Sequence, residues 1–179
     1  AARRDREESA SADVVRRVMW LEERALPAGT VVDQRRIETW TDPRHGRLAR
    51  RAYDHGRRLV AGEWRERTGG LVYLRGARPV PAIAASTETL IQRGESWRLD
   101  LSAASASAMV SNAGSGTVSD LGDTLRLDFG WDSEAQGVTH AQVFLRAHDL
   151  HVIEQRLTVR LPEGGREVRI RELALENLS

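Results

Sequence analysis

The chain of 179 residues contains no cysteine and no lysine. The first absence excludes disulfides, zinc–thiolate sites and thiol nucleophiles. The second makes all 27 basic residues arginine and removes the lysine that a phosphate-binding loop requires. Arg-only usage of this kind follows more readily from a GC-rich coding bias than from a phosphate-binding design. No apolar run approaches the length of a membrane span, the longest weakly apolar stretch being 79–85. Gly114-Ser115-Gly116 lacks both the Gly-x-Ser-x-Gly spacing and the strand-turn-helix setting that would expose a nucleophile, so it reads as a loop. Carboxylate pairs such as Glu7-Glu8 and Glu22-Glu23 fall in a linker and on an expected helix surface. The sequence therefore points to no enzyme and to no cofactor.

The near-zero net charge of +1 hides an asymmetry. Residues 1–78 hold 18 Arg against 12 carboxylates, while 79–179 hold 9 against 14. A basic front is followed by an acidic back. Residues 1–11 are small and charged, and read as a linker behind a signal or membrane anchor that precedes Ala1. Residues 12–179 fit one domain of ordinary size.

The clearest pattern lies at the C-terminal end. Ala141, Val143, Leu145 and Ala147 alternate with polar residues. After the turn His148-Asp149-Leu150, the run from His151 places Ile153, Gln155, Leu157, Val159 and Leu161 on one side and Glu154, Arg156, Thr158 and Arg160 on the other. Beyond Pro162-Glu163-Gly164-Gly165, Val168 and Ile170 continue the alternation. Leu173 and Leu175 then fall one residue out of phase, which predicts a bulge near Arg171 or Glu172. A three-stranded antiparallel meander results, preceded by a strand over 123–131.

Earlier in the chain, Asp13 is a candidate N-cap, and Val14, Val15, Val18, Leu21 and Leu26 recur near helical spacing, so a helix is expected over 12–24. Turn residues then punctuate four short strands at 31–41, 47–54, 57–67 and 71–75. Their faces carry little aliphatic surface. Instead Trp40, Tyr53, Trp64 and Tyr73 stand among guanidinium groups such as Arg36 and Arg51, an arrangement that suits either rings covered by arginine stems or a binding surface. Arg78 to Pro81 breaks the sheet. A short and a longer helix are expected between Ser86 and Asn112, with Trp97 near their connection and Met109 at the end of the second.

The order helix, four strands, helical interruption and four strands, together with Arg- and Trp-bearing early strands and the late run from Leu145 to Arg160, resembles the extracytoplasmic half-barrel domains of the LolA and RseB/MucB type. It resembles especially the outer regions of anti-sigma-factor-like bacterial membrane proteins. The resemblance spans about 12–176 and implies an α+β fold: a curved antiparallel half-barrel of about eight strands, with an N-terminal helix and a helical cover inserted between the strand groups. In the carriers of that group the sheet holds acyl chains, and in the regulators it binds a partner or a lipid-like signal.

The expected function is accordingly that of an extracytoplasmic sensor or partner-binding domain that holds a lipid-like or protein ligand non-covalently, with regulation of an anti-sigma factor as the role the resemblance implies. The expected contacts are Trp40, Tyr53, Trp64, Tyr73, Arg36, Arg51, Trp97 and Met109. The alternatives are lipoprotein-carrier-like transport, which Arg35, Arg36, Arg50, Arg51, Arg57 and Arg58 oppose, and nucleic-acid binding by the arginine- and aromatic-rich strands. Asp33, Glu38, Asp42, Asp54, Glu63 and Glu66 interleave with those arginines, and this disfavours nucleic acid. His148, Asp149 and His151 put three potential metal ligands in four residues. At a hairpin turn the two imidazoles face apart, so no metal is expected.

Overall fold

The computed structural model describes residues 14–111, 113–131 and 137–178, apart from the side chains of Met109 and Val110. The expected linker 1–11 and the proposed cap Asp13 lie outside the described residues. Eleven strands form one curved, open antiparallel sheet in the order β6-β5-β4-β3-β2-β1-β11-β10-β9-β8-β7. β1 (Val14–Leu26) and β11 (Gly164–Leu178) sit at its centre, paired from Val14↔Leu178 to Leu26↔Gly165. From β1 one meander runs outward through β2 (Thr30–Asp42), β3 (Arg47–Tyr53), β4 (Leu59–Glu66), β5 (Gly69–Leu74) and β6 (Val80–Pro81). A second returns from the opposite edge through β7 (Ser115–Asp120), β8 (Thr124–Gly130), β9 (Gly137–Arg146) and β10 (Val152–Leu161).

The two edges are joined by the helical segment: α1 (Thr87–Gln92), a 3₁₀ turn (Ser96–Arg98) and α2 (Ala103–Val110). Ser86 caps α1, its hydroxyl accepting the Thr89 N–H. This segment lies over one face of the sheet and completes the core. Leu90, Ile91, Trp97, Leu99, Leu101, Ala103 and Ala106 pack with Met19, Leu21, Ile37, Ala52, Ala61, Val143, Leu157, Val159, Val168 and Ile170. The other face carries no helix among the described residues.

The expected N-terminal helix is instead the central strand β1, and the charges explain the misreading. Odd residues of β1 face the cover and even residues face away, but the covered row contains Arg17 and Glu23 beside Met19 and Leu21. The uncovered row contains Val18 and Trp20 beside Arg16 and Glu22. Charge on both faces erases the period of two that marks a half-buried strand. β1 is satisfied as a strand because Glu23 meets Arg166 at 3.2 Å and Arg17 meets Glu172 at 3.1 Å.

The count of about eight strands is corrected to eleven by β1 and the edge strands β6 and β7. β6 is two residues ending in Pro81, and β7 is SGTVSD, where a loop was expected. Neither has an apolar alternation, because edge strands bury little. The expected bulge is present with Leu173 as the extra residue, since Val18 pairs with Ala174 and Met19 with Glu172. In β10 a second irregularity at Ile153 gives the inward position to Val152, which pairs with Leu145, in place of the Ile153 expected there.

Leu21 is fully buried at the seam of the two meanders. Leu21→Ala is expected to destabilise the domain by about 2–5 kcal/mol, read from urea unfolding followed by far-UV circular dichroism.

Candidate functional site

On the covered face, one row of the sheet is charged rather than apolar. Arg17, Thr39, Arg50, Glu63 and Val72 are register neighbours across β1 to β5. Arg50 and Glu63 are both buried, and Arg50 Nη1 donates to Glu63 Oε2 at 3.3 Å. The cover adds Arg98, which donates from Nη2 to Glu63 Oε1 at 2.9 Å and to the Ile83 carbonyl at 2.9 Å, and from Nη1 to Glu95 Oε2 at 2.6 Å. Arg50 in turn donates to the Arg98 carbonyl, and Arg17 to the Leu101 carbonyl.

These contacts tie the cover to the sheet through two carbonyls and one shared carboxylate. Burial pulls the Arg50 guanidinium below its ordinary value, against the attraction of Asp100 and Glu63. Burial also opposes the Arg98 charge, but hydrogen bonds with Glu63 and Glu95 outweigh it and hold that group above its ordinary value. Arg17 leads on to a second pin. Glu172 accepts from His151 Nε2 at 2.9 Å, so that nitrogen carries the proton, and His151 is itself buried.

The uncovered face has the opposite character. Trp40 lies beneath the guanidinium groups of Arg51 and Arg16, at 5.3 and 5.9 Å from its ring centre. Beside it, Tyr53, Arg36 and Trp20 are register neighbours across β3, β2 and β1. Together with Glu38, Asp54, His55, Arg57 and the bulge residue Leu173, they line a cleft of about 480 Å³. Arg36 is held to Glu38 at 2.8 Å. The rings of Trp20 and Tyr53 and the side chain of Leu173 give the cleft an apolar floor. The β3–β4 turn forms its rim, fixed by Asp54 Oδ1 accepting the Arg58 N–H at 2.9 Å. Arg57 adopts a φ of 60°, a conformation rare for a non-glycine residue.

Of the expected contacts, Arg36, Tyr53, Trp40, Arg51, Trp64 and Tyr73 all lie on the uncovered face. Arg36 and Tyr53 enter the cleft, Arg51 stacks on Trp40, and Trp64 and Tyr73 stand exposed nearer the β5 edge. Trp97 is separated from them. It is fully buried beneath the cover on the other face. Met109 lies in the last turn of α2, and its side chain is outside what the structure describes. Trp20 and Leu173 were missed as cleft residues. Trp20 falls in the stretch expected to be helical, and Leu173 becomes visible only when the bulge is placed against β1. His148 is exposed and His151 points to Glu172, so the two imidazoles diverge.

The remainder of the uncovered face is a charge ladder. Glu154 accepts from Arg169 at 2.8 Å and Arg156 at 2.6 Å, and Arg156 also lies over the Phe144 ring at 4.9 Å. Burial pushes the Glu154 carboxyl up, but the two guanidinium groups outweigh it and hold the group below the usual carboxylate value.

No known family pattern and no curated protein sequence matches the chain. Among solved structures it is similar to a LolA superfamily protein from Nitrosomonas europaea, at 8% identity and a TM-score of 0.45, covering 97% of this chain and 91% of that one. It is similar also to a DUF1329 family protein from Desulfovibrio piger, at 14% identity and a TM-score of 0.49, covering 99% and 91%. At these identities the likeness concerns the course of the chain alone.

Two outcomes follow from the buried charges. Glu63→Ala leaves Arg50 and Arg98 without their shared carboxylate and is expected to cost about 3–5 kcal/mol in urea unfolding. Glu154 has a depressed folded-state pKa. Its contribution is therefore present above the ordinary carboxylate value and is lost as pH falls through the folded value. Glu154→Gln is expected to be less stable than the parent at neutral pH by on the order of 1 kcal/mol. That gap closes on acidification in unfolding curves recorded across the acid range.

Proposed function

We propose that this domain is a non-catalytic binding module of the cell envelope that holds a small amphipathic ligand in the Trp20–Tyr53–Leu173 cleft. The observation that carries the reading is the contrast between the two faces. The covered face is filled by its own cover and crossed by the Arg50–Glu63–Arg98 cluster, whereas the uncovered face has a formed cleft lined by the apolar groups of Trp20, Tyr53 and Leu173 together with charged and polar residues. Its volume of about 480 Å³ lies within the range of small-ligand sites. An acyl chain placed beneath the cover would have to displace Trp97 and part the buried Arg50–Glu63–Arg98 pairs, leaving charge buried without a partner, which is why carrier-like transport through that face is the weaker reading. The envelope setting and the regulation of an anti-sigma factor are supported by the sequence resemblance alone.

The chemistry that suits the cleft is a flat or branched apolar body stacked on Trp20 and Tyr53, with a polar end toward His55 and Arg57. Binding there requires no bond making, and nothing in the reading calls for a cofactor. 1-Anilinonaphthalene-8-sulfonate is a suitable probe, since it pairs an aromatic body with an anionic end and reports by fluorescence. Tyr53→Ala and Trp20→Ala are expected to raise its Kd about three- to tenfold. Trp64→Ala, outside the cleft, is expected to leave it unchanged. Equal loss in all three variants, or no saturable binding to the folded parent, would remove the reading.

A further inference from the structure

The meander from β3 to β6 ends in two adjacent turns on the same end of the sheet, β3–β4 at 54–58 and β5–β6 at 75–79. These turns and the strand residues beside them have a composition found at no other rim of the molecule among the described residues. Segments 55–62 and 73–80 contain Arg57, Arg58, Arg75 and Arg78 and not one carboxylate. All four arginines are exposed, and none makes an ion pair among the described residues. Asp54, the first residue of the β3–β4 turn and the one carboxylate of the two turns, has one carboxylate oxygen engaged by the Arg58 N–H. Beside these cations are exposed apolar side chains at the same end of the sheet, Leu59 and Tyr73 on its uncovered face and Leu74 and Val80 on its covered face. The two turns are fixed relative to each other, because Arg75 N–H donates to the Val60 carbonyl at 2.9 Å and Val72 pairs with Val80.

The opposite end of the same strands is built differently. There Arg44, Arg47 and Arg67 are accompanied by Asp42 and Glu66, and the Arg67 guanidinium is spent on the Arg44 carbonyl at 2.9 Å. Among the described residues of this half, four arginines free of ion pairs and mixed with apolar groups thus stand together at this rim, with Asp54 as the one carboxylate of its two turns.

We infer that this rim docks on an anionic phospholipid surface. Guanidinium groups near such a surface each contribute on the order of 1 kcal/mol, and arginine carries its charge on a stem that lies along apolar neighbours. Leu59, Leu74 and Val80 enter the headgroup–acyl boundary while Tyr73 sits at the headgroup level, its ring apolar and its hydroxyl wet. Exposed aliphatic residues beside the cations favour a bilayer over a polyanion with no apolar phase. A nucleic acid would give Leu74 and Val80 nothing to bury against. This surface shares Asp54, His55 and Arg57 of the β3–β4 turn with the rim of the proposed ligand cleft, so the test leaves those three residues intact and lipid docking can fail while dye binding stands, or the reverse.

The experiment is co-sedimentation of the intact chain with large vesicles, either of pure phosphatidylcholine or with about one third phosphatidylglycerol. It is repeated for the triple variant Arg58→Gln/Arg75→Gln/Arg78→Gln and for the charge-matched control Arg44→Gln/Arg47→Gln/Arg67→Gln. Thermal unfolding confirms that each variant is folded. The parent is expected to partition at least about tenfold more strongly to the phosphatidylglycerol vesicles. The rim variant is expected to lose at least about tenfold of that binding, and Val80→Asp to weaken it with the arginines in place. The control is expected to retain it. No partitioning of the parent, equal loss in both triple variants, or the same rim-dependent affinity for random-sequence duplex DNA at equal salt would each overturn the inference. The last outcome would assign the rim to nucleic acid.

Discussion

The pairing of the first described strand with the last is the constraint from which the rest of the architecture follows. Because β1 and β11 lie side by side in the centre of the sheet, each meander must run outward to its own edge, and the chain has to cross from one edge to the other. Eleven strands at about 4.8 Å spacing place those edges roughly 48 Å apart along the sheet. Curvature shortens the direct path, and the crossover takes it over a single face. A crossover over one face is therefore a topological necessity in this chain; here it is helical, and among the described residues the other face carries no helical layer.

That asymmetry decides where chemistry can happen. On the covered side the crossover is short of apolar bulk, since α2 is built of AASASAMV, and hydrophobic burial by Trp97, Ile91 and Leu101 is supplemented by charge. Glu63 serves two arginines at once, one from the sheet and one from the cover, while Arg17 and Arg50 reach carbonyl oxygens of the crossover. Buried ion clusters add little net stability relative to a well-packed apolar core, but they are costly to break one partner at a time. They act here as registration pins that fix where the cover sits. Trp97 Nε1, Ser96 Oγ and Arg50 Nε are buried without hydrogen-bond partners among the described residues. The cover is thus held against a polar cost, which the apolar burial of Trp97, Ile91 and Leu101 offsets. On the uncovered side, guanidinium groups stack over Trp40 and Phe144 and pair with Glu38 and Glu154, so most of that face is already satisfied. The cleft beside the Leu173 bulge is where this pattern is interrupted.

Legibility in the sequence followed burial. Where one face of a strand is wet and the other dry, as in β8, β9 and the second half of β10, alternation revealed the strand. The spacing of turn residues did the same for β2 to β5. The helical crossover was legible from Ser86 onward because its apolar spacing changes. β1 was not, because Arg17 and Glu23 on its dry face are paired with Glu172 and Arg166, residues about one hundred and fifty positions away that no local pattern reveals. The expected contacts were recognised as an arginine–aromatic face, and six of the eight do share one face. Trp97 resembles them in composition and differs in position, since the crossover turns it inward. Trp20 becomes a neighbour of Tyr53 only because 14–26 is a strand paired with β2, and Leu173 joins them only through the β1·β11 pairing, features that periodicity could not show.

The central claim is that the cover is a locked part of the core, and that ligand chemistry therefore belongs to the uncovered face. Native-state hydrogen exchange of the amides of Arg98 and Leu99, which donate to Glu95 and Ser96 carbonyls within the cover, tests this most directly. The account predicts that they exchange as slowly as amides of the central strands β1 and β11, through global unfolding. Exchange at the rate of the exposed turns, while β1 and β11 remain protected, would show a cover that opens on its own and would contradict it.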